Sequence, residues 1–213
     1  MSDELWRIRD EYQGSSLDPA DCDRDPIVQV KKWMQYAVGE GIATPNAMTL
    51  ATVDERGRPA ARIVLLKEID ARGFVFFTNY DSRKGRDVAA HPFAALVLYW
   101  EALHRQVRVE GAIEKLAAAD SDAYFASRPR GSQLGAIASP QSQVIAERRV
   151  LEERVAELQK THGEAPLARP ANWGGYRVVP DAIELWQGQP SRLHDRVKYR
   201  FAAQGWTRER LAP

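Results

Sequence analysis

Eleven consecutive residues, Trp186-Gln187-Gly188-Gln189-Pro190-Ser191-Arg192-Leu193-His194-Asp195-Arg196, bring two guanidiniums, an imidazole, a carboxylate and an indole together. They follow a strand-like run over residues 176–185. If residues 192–196 are extended, side chains alternate, so Arg192, His194 and Arg196 share one face. Two cations and a titratable ring in a row repel one another unless an anion lies between them. The stretch therefore reads as a site for a phosphate or carboxylate. A solvated edge strand, charged to discourage aggregation, explains it equally well.

A second cluster is Asn79-Tyr80-Asp81-Ser82-Arg83-Lys84. Asp81 or Ser82 is a natural N-cap, which puts Arg83 and Lys84 in a first helical turn. Cations there oppose the helix dipole by about 0.3–1 kcal/mol each. A phosphate bound to the free N–H groups removes the conflict; a solvent-facing Arg-Lys pair tolerates it. In Arg62-Ile63-Val64-Leu65-Leu66-Lys67, alternation sends Arg62 and Lys67 to opposite faces of a strand. One anion on each face accounts for that, and so do two exposed strand ends. Tyr124, Arg128 and Ser132 fall at steps of four, and Pro129 marks Arg128 as a helix end. Phenol, guanidinium and hydroxyl are phosphate donors, but an arginine at a helix C-terminus is commonplace. Gln106, Gln141 and Ser142 are hydrogen-bonding groups that suit a heterocycle edge and equally an ordinary surface.

Helices and short strands must position these groups. Residues 4–12 have a weak helical period along Leu5, Ile8 and Tyr12, broken by the Gly14 to Pro19 stretch. Asp25-Pro26 opens a helix reaching about Val38. Strands are predicted over 47–53, 59–66, 74–78, 93–100, 106–113, 176–179, 182–186, 193–199 and 206–211. Helices are predicted over 82–90, 117–127 and 143–160, the last with Val144, Ile145, Val150, Leu151, Val155 and Leu158 as its apolar stripe. Many short strands with interposed helices argue for an α+β fold, mainly β: a barrel with helical additions, not a doubly wound sheet.

Composition narrows the functional classes. The chain has 213 residues, 44% hydrophobic and 28% charged, with a net charge of +1. That length suits one globular core, and the near-neutral charge argues against nucleic acid or anionic lipid as partner. Cys22 is the only cysteine, so no intrachain disulfide forms, in keeping with the cytoplasm. No apolar run approaches the roughly 20 residues needed to span a bilayer, and no signal peptide is evident at the N-terminus. The four histidines lack metal-ligand spacing. No P-loop, Gly-x-Ser-x-Gly elbow or Gly-x-Gly-x-x-Gly fingerprint occurs. The expected organisation is an N-terminal segment, residues 1–25, flexible and able to cover a site, before a single domain over 26–213.

Taken in order, Arg62–Lys67, Phe76-Phe77-Thr78-Asn79, Ser82-Arg83-Lys84, Tyr124-Phe125-Ala126-Ser127-Arg128-Pro129-Arg130, Trp173-Gly174-Gly175 and Arg192-Leu193-His194-Asp195-Arg196 resemble the pyridoxine/pyridoxamine 5′-phosphate oxidase family. The resemblance covers almost the whole chain and implies an FMN-binding split β-barrel, homodimeric, with FMN between subunits. It implies oxidation of pyridoxamine or pyridoxine 5′-phosphate to pyridoxal 5′-phosphate, with O2 as acceptor and H2O2 as product. FMN contacts then fall to Arg62, Ile63, Val64, Leu65, Leu66, Lys67, Phe77, Thr78, Arg83, Lys84, Gln106, Gln141, Ser142, Trp186 and Arg196. Substrate contacts fall to Lys67, Tyr124, Arg128 and Ser132 at its phosphate and to Arg192, Leu193 and His194 at its ring. Arg9, Asp10, Glu11 and Tyr12 resemble the covering segment. Arg192 and His194 are the candidate catalytic pair. The sequence departs from the family pattern at Phe77, where tyrosine is usual. A same-fold flavin oxidase acting in phenazine synthesis and a non-catalytic flavin or pyridoxal phosphate carrier are the alternatives.

Overall fold

A computed structural model describes Arg7 and residues 11–213. Most of the expected helix over 4–12 lies outside the described residues, as do Arg9 and Asp10; Arg7 is helical and Tyr12 is not. The elements run α1 (Pro26–Gly39), β1 (Ala47–Val53), β2 (Pro59–Leu65), β3 (Glu68–Asp70), β4 (Gly73–Asn79), α2 (Arg83–Ala90), β5 (Phe93–Trp100), β6 (Arg105–Lys115), α3 (Ala118–Ser127), α4 (Arg130–Ala138), α5 (Arg149–His162), β7 (Trp173–Gln187), β8 (Asp195–Ala202) and β9 (Gly205–Leu211). The fold is mainly β with helical additions. The strands form one nine-stranded sheet in the order β2-β1-β5-β6-β7-β4-β3, with β8 on β7 and β9 on β8.

Local chemistry accounts for the boundaries. The Asp25 carboxylate accepts from the Ile27 N–H at 2.8 Å, and Pro26 needs no donor at the first helical position. Ile27, Val30, Trp33 and Ala37 then fall on one buried face of α1. In β5, Ala94, Leu96, Leu98 and Trp100 alternate inward; β4 is buried along almost its whole length. Strands expected over 176–179 and 182–186 prove to be one, the 15-residue β7. The break expected at Pro180-Asp181 does not form. The helix expected from residue 143 begins at Arg149 instead. Pro140 caps a turn through the Gln143 N–H, and Val144 is fully exposed, so the apolar stripe loses its first members.

The chain groups into two compact units. One comprises Met1–Leu50, Ala95–Gly111 and Pro180–Pro213, the other Ala51–Ala94 and Ala112–Val179. In the first, β7, β8 and β9 pair antiparallel, with Ile183 opposite Tyr199 and Tyr199 opposite Arg208. Its core holds Val30, Trp33, Leu98, Trp100, Ile183, Leu185 and Val197. Cys22 is buried there; the Tyr199 hydroxyl beside it donates to the Asp23 carbonyl at 2.8 Å, and burial raises the thiol pKa. In the second unit, β4 pairs antiparallel with β7, Phe76 opposite Tyr176. Arg177 is buried there between Asp70 and Glu114. Among the described residues no helix is long and apolar enough to cross a membrane.

Candidate active site

The second unit builds a cation site at the start of α2. Ser82 is the N-cap; its hydroxyl accepts from the Gly85 N–H at 3.3 Å. Lys84 folds back so that Nζ donates to Gln141 Oε1 at 3.0 Å and to Thr78 Oγ1 and Ser82 Oγ at 3.2 Å each. These partners are neutral oxygens. Burial, and then repulsion from Arg62, lowers the Lys84 pKa, with Asp87 opposing. Arg62 is held differently. It donates to Thr52 Oγ1 at 2.7 Å and pairs at 3.4 Å with Asp87, which is 4% exposed. Arg83 is exposed and lines an open polar hollow with Arg58, Arg86 and Asp87. Thus Lys84, unlike Arg62, has no carboxylate at ion-pair distance among the described residues.

The same unit carries a pocket of about 320 Å³ lined by Asn79, Arg128, Ser132, Gln141 and Trp173, among others. Arg128 is the C-cap of α3, the helix end that Pro129 signals. Its guanidinium lies 4.7 Å from the Trp173 ring centroid, and its Nη1 is buried with no hydrogen-bond partner. Burial lowers its pKa. Gln133, a residue that sequence reasoning missed, holds this corner. Its Nε2 donates to the carbonyls of Phe125, Ala126 and Arg128 at 3.0–3.1 Å. Tyr124 stacks on Phe77, ring centroids 3.7 Å apart. Phe77 therefore contributes a face here, which needs no hydroxyl.

Other expected members lie elsewhere in this unit. Arg62 and Val64 are half-buried on β2, whereas Ile63 and Leu65 are 65% and 41% exposed. β2 ends at Leu65, yet Leu66 is buried and Lys67 exposed, so burial keeps the alternation expected through Lys67 and leaves Arg62 and Lys67 on opposite sides. Lys67 is exposed, its N–H bonded to the Val75 carbonyl, and it does not line the Arg128 pocket. Ser142 is exposed with φ of 70°, a turn conformation.

The first unit presents the Arg192–His194 loop. The expected extended run over 192–196 is not formed. Pro190–Arg192 makes a 3-10 turn with Ser191 and Arg192 at positive φ, and β8 starts only at Asp195. The turn proline and the loop closure between Gln187 and Asp195 override alternation, so Arg192, His194 and Arg196 do not form one row. Arg196 is spoken for, donating to Glu184 at 2.9 Å and to the Ala212 carbonyl at 2.8 Å. Arg192 is exposed, its guanidinium 5.2 Å from the Tyr12 ring centroid. His194 Nδ1 accepts from the Gln189 N–H at 3.0 Å; burial, and then Arg192, lowers its pKa. Leu193 is 70% exposed, Gln106 is half-buried on β6, and Glu11 is exposed.

Residues 12–18 are laid along this loop. The Tyr12 ring meets those of Trp186, His194 and His104 edge-on at 5.1–5.5 Å. Gln189 donates to the Ser15 carbonyl at 2.9 Å, and the Leu17 N–H donates to Asp195 at 3.0 Å. Gln187, 1% exposed, accepts from Arg105 at 2.8 Å and donates to the Leu103 and His104 carbonyls. Of these anchors, Gln187, Gln189 and Asp195 lay within the eleven-residue stretch. His104 and Arg105 carried no sequence signal.

Known proteins share this architecture. The structure of PhzG from Burkholderia lata 383, in complex with tetrahydrophenazine-1-carboxylic acid, is similar at a TM-score of 0.88 and 31% identity, covering 94% of this chain and 99% of that one. A pyridoxamine 5′-phosphate oxidase-related, FMN binding protein from Nostoc punctiforme shares the fold at a TM-score of 0.69 and 18% identity, covering 93% and 100%. The fold class is thus the split β-barrel expected from the sequence. Residues 34–162 match the family model for pyridoxamine 5′-phosphate oxidase, and residues 173–213 match that for the pyridoxine 5′-phosphate oxidase C-terminal dimerisation region. A pyridoxine/pyridoxamine 5′-phosphate oxidase from Burkholderia ambifaria is 58% identical over 98% of this chain and 99% of its own; one from Paraburkholderia phytofirmans is 57% identical over the same shares. The chain belongs to the pyridoxamine 5′-phosphate oxidase family.

Proposed function

We propose that the protein oxidises pyridoxamine and pyridoxine 5′-phosphate to pyridoxal 5′-phosphate using bound FMN. For the amine, substrate, O2 and water give the aldehyde, ammonia and hydrogen peroxide; the alcohol needs no water and releases no ammonia. The observation that carries this reading is the pair of cations in the second unit, Lys84 among neutral oxygens and Arg128 with a buried, unpartnered Nη1. Two phosphates account for both.

The residues fit the cofactor. Lys84, Thr78, Gln141 and the N–H groups at the start of α2 suit the FMN phosphate, with Arg83 adding charge. Residues 62–67, Phe77, Ser142, Gln106, Trp186 and Arg196 take the remaining FMN roles by family resemblance. The chemistry that bound FMN supplies is acceptance of two electrons from the substrate and their return to O2. Arg128 and Ser132 clamp the substrate phosphate, with Tyr124 and Lys67 assisting. Arg192 and His194 hold the substrate ring, with Arg9 to Tyr12 closing over it. Burial, and then Arg192, favours the neutral imidazole of His194; its role is to orient the substrate, and no obligatory base is assigned. The match of residues 173–213 to a dimerisation region, with exposed Ile63, Leu65, Phe93 and Tyr99, supports a homodimer with FMN between subunits. The cytoplasm is the proposed compartment.

An absorption spectrum of the purified protein tests this. Flavin bands that bleach anaerobically with pyridoxamine 5′-phosphate, and peroxide on admitting air, are expected. A colourless protein that takes up no added FMN refutes the reading, and bleaching without peroxide indicates a carrier. The likeness to PhzG keeps a phenazine-type oxidase as the second reading. Arg128 and Ser132 favour the phosphorylated substrate, and Arg128→Ala should raise KM for it with kcat nearly kept.

A further inference from the structure

We infer that His104 is a positioning residue that seats Tyr12 against His194, coupling the N-terminal segment to the Arg192–His194 loop. It closes the 3-10 turn Glu101–Leu103 in a left-handed backbone, φ 49° and ψ 42°, its N–H bonded to the Glu101 carbonyl. Such a conformation in a non-glycine residue is held by its surroundings. Here the holding contacts lead to the loop. The His104 carbonyl accepts from the Gly188 N–H at 2.7 Å and from Gln187 Nε2 at 3.1 Å.

The side chain meets Tyr12. The two rings meet edge-on, centroids 5.1 Å apart at 90°, and Tyr12 meets His194 at the same distance. A Cβ on Gly188 would lie 2.8 Å from Tyr12 Cδ1 and 2.9 Å from His104 Cβ. The glycine leaves room for both rings and for nothing more. His104 Nδ1 is nonetheless buried without a hydrogen-bond partner. A buried polar atom left unpaired is disfavoured, and exceptions gather where geometry serves a site. What the ring makes in this place is its contact with Tyr12.

The kinetic part rests on the oxidase reading above; the segment's docking does not. The test compares holoenzyme with His104→Asn, which tolerates the left-handed backbone but removes the ring, and His104→Phe, which keeps a ring. In His104→Asn, amide hydrogen exchange over residues 12–17 should accelerate between about twofold and tenfold, the worth of one aromatic pair. KM for pyridoxamine 5′-phosphate should rise by the same factor, with kcat, flavin content and melting temperature held. His104→Phe should restore both. Unchanged exchange in His104→Asn overturns the proposal, and so does a His104→Phe that keeps the parent melting temperature, and hence carries no backbone strain, yet behaves like His104→Asn. If no variant or parent turns over the substrate, the oxidase reading fails and the exchange data still decide the role of His104.

Discussion

The buried and half-buried cations differ in the company they keep. Arg62, Arg177 and Arg196 each face a carboxylate, whereas Lys84 faces only neutral oxygens. Half-burying an ammonium without an acid is unfavourable unless a ligand supplies the charge. Lys84→Met should therefore weaken FMN binding at least about tenfold, the loss of one charge-assisted contact, yet leave the melting temperature of the flavin-free protein unchanged or higher. Titration with FMN and thermal melts check both; a destabilised flavin-free protein contradicts the argument. His194 yields a second prediction. Burial, then Arg192, keeps its pKa below the usual 6.5, and its Nδ1 must be bare to accept from Gln189. Between that lowered value and 6.5 the unfolded chain binds more protons, so the His194 contribution to stability falls as pH drops through this interval. An NMR titration should find the midpoint below 6.5, moving upward in Arg192→Gln. A midpoint indifferent to that change would exclude Arg192 as a cause.

Among the elements, the junction of α3 and α4 shows how far sequence reads. Pro129 announces the end of α3 at Arg128, and that boundary is where it was expected. Nothing in the spacing reveals that Gln133, one turn into α4, reaches back to three carbonyls at the end of α3. Gln133→Ala should cost about 1–3 kcal/mol by leaving buried acceptors unpaired, and should raise KM for the phosphorylated substrate as Arg128 loses its frame. A calorimetric scan and initial rates test it; an unaffected KM would mean that Arg128 is positioned by Trp173 instead. The loop after β7 shows the opposite outcome. Alternation forecast one row of cations, but the proline turn and the Gln187–Asp195 pairing rotate Arg192 out of it. Residue types marked the chemistry, while their arrangement depended on Gln187, Gln189 and His104, which have partners far off in sequence.

For the molecule as a whole, strand and helix limits were mostly legible because alternation, caps and turn residues act locally. The long β7 and the late start of α5 were not, since pairing partners decide the first and an exposed Val144 the second. The exposed side chains of β2 carry a test of assembly. Ile63→Glu with Leu65→Glu removes apolar surface that a monomer does not need to show. Gel filtration should then give a species of half the parent's mass with little flavin; an unaltered elution volume would move the interface elsewhere. The burial of Cys22 has a practical consequence. A thiol shielded by the core and disfavoured from ionising reacts slowly with maleimides. The native chain is thus a blank background for site-directed fluorophores. A single cysteine at the exposed Ser15 would carry one dye, and its brightness would report whether residues 12–17 stay docked on the Arg192–His194 loop.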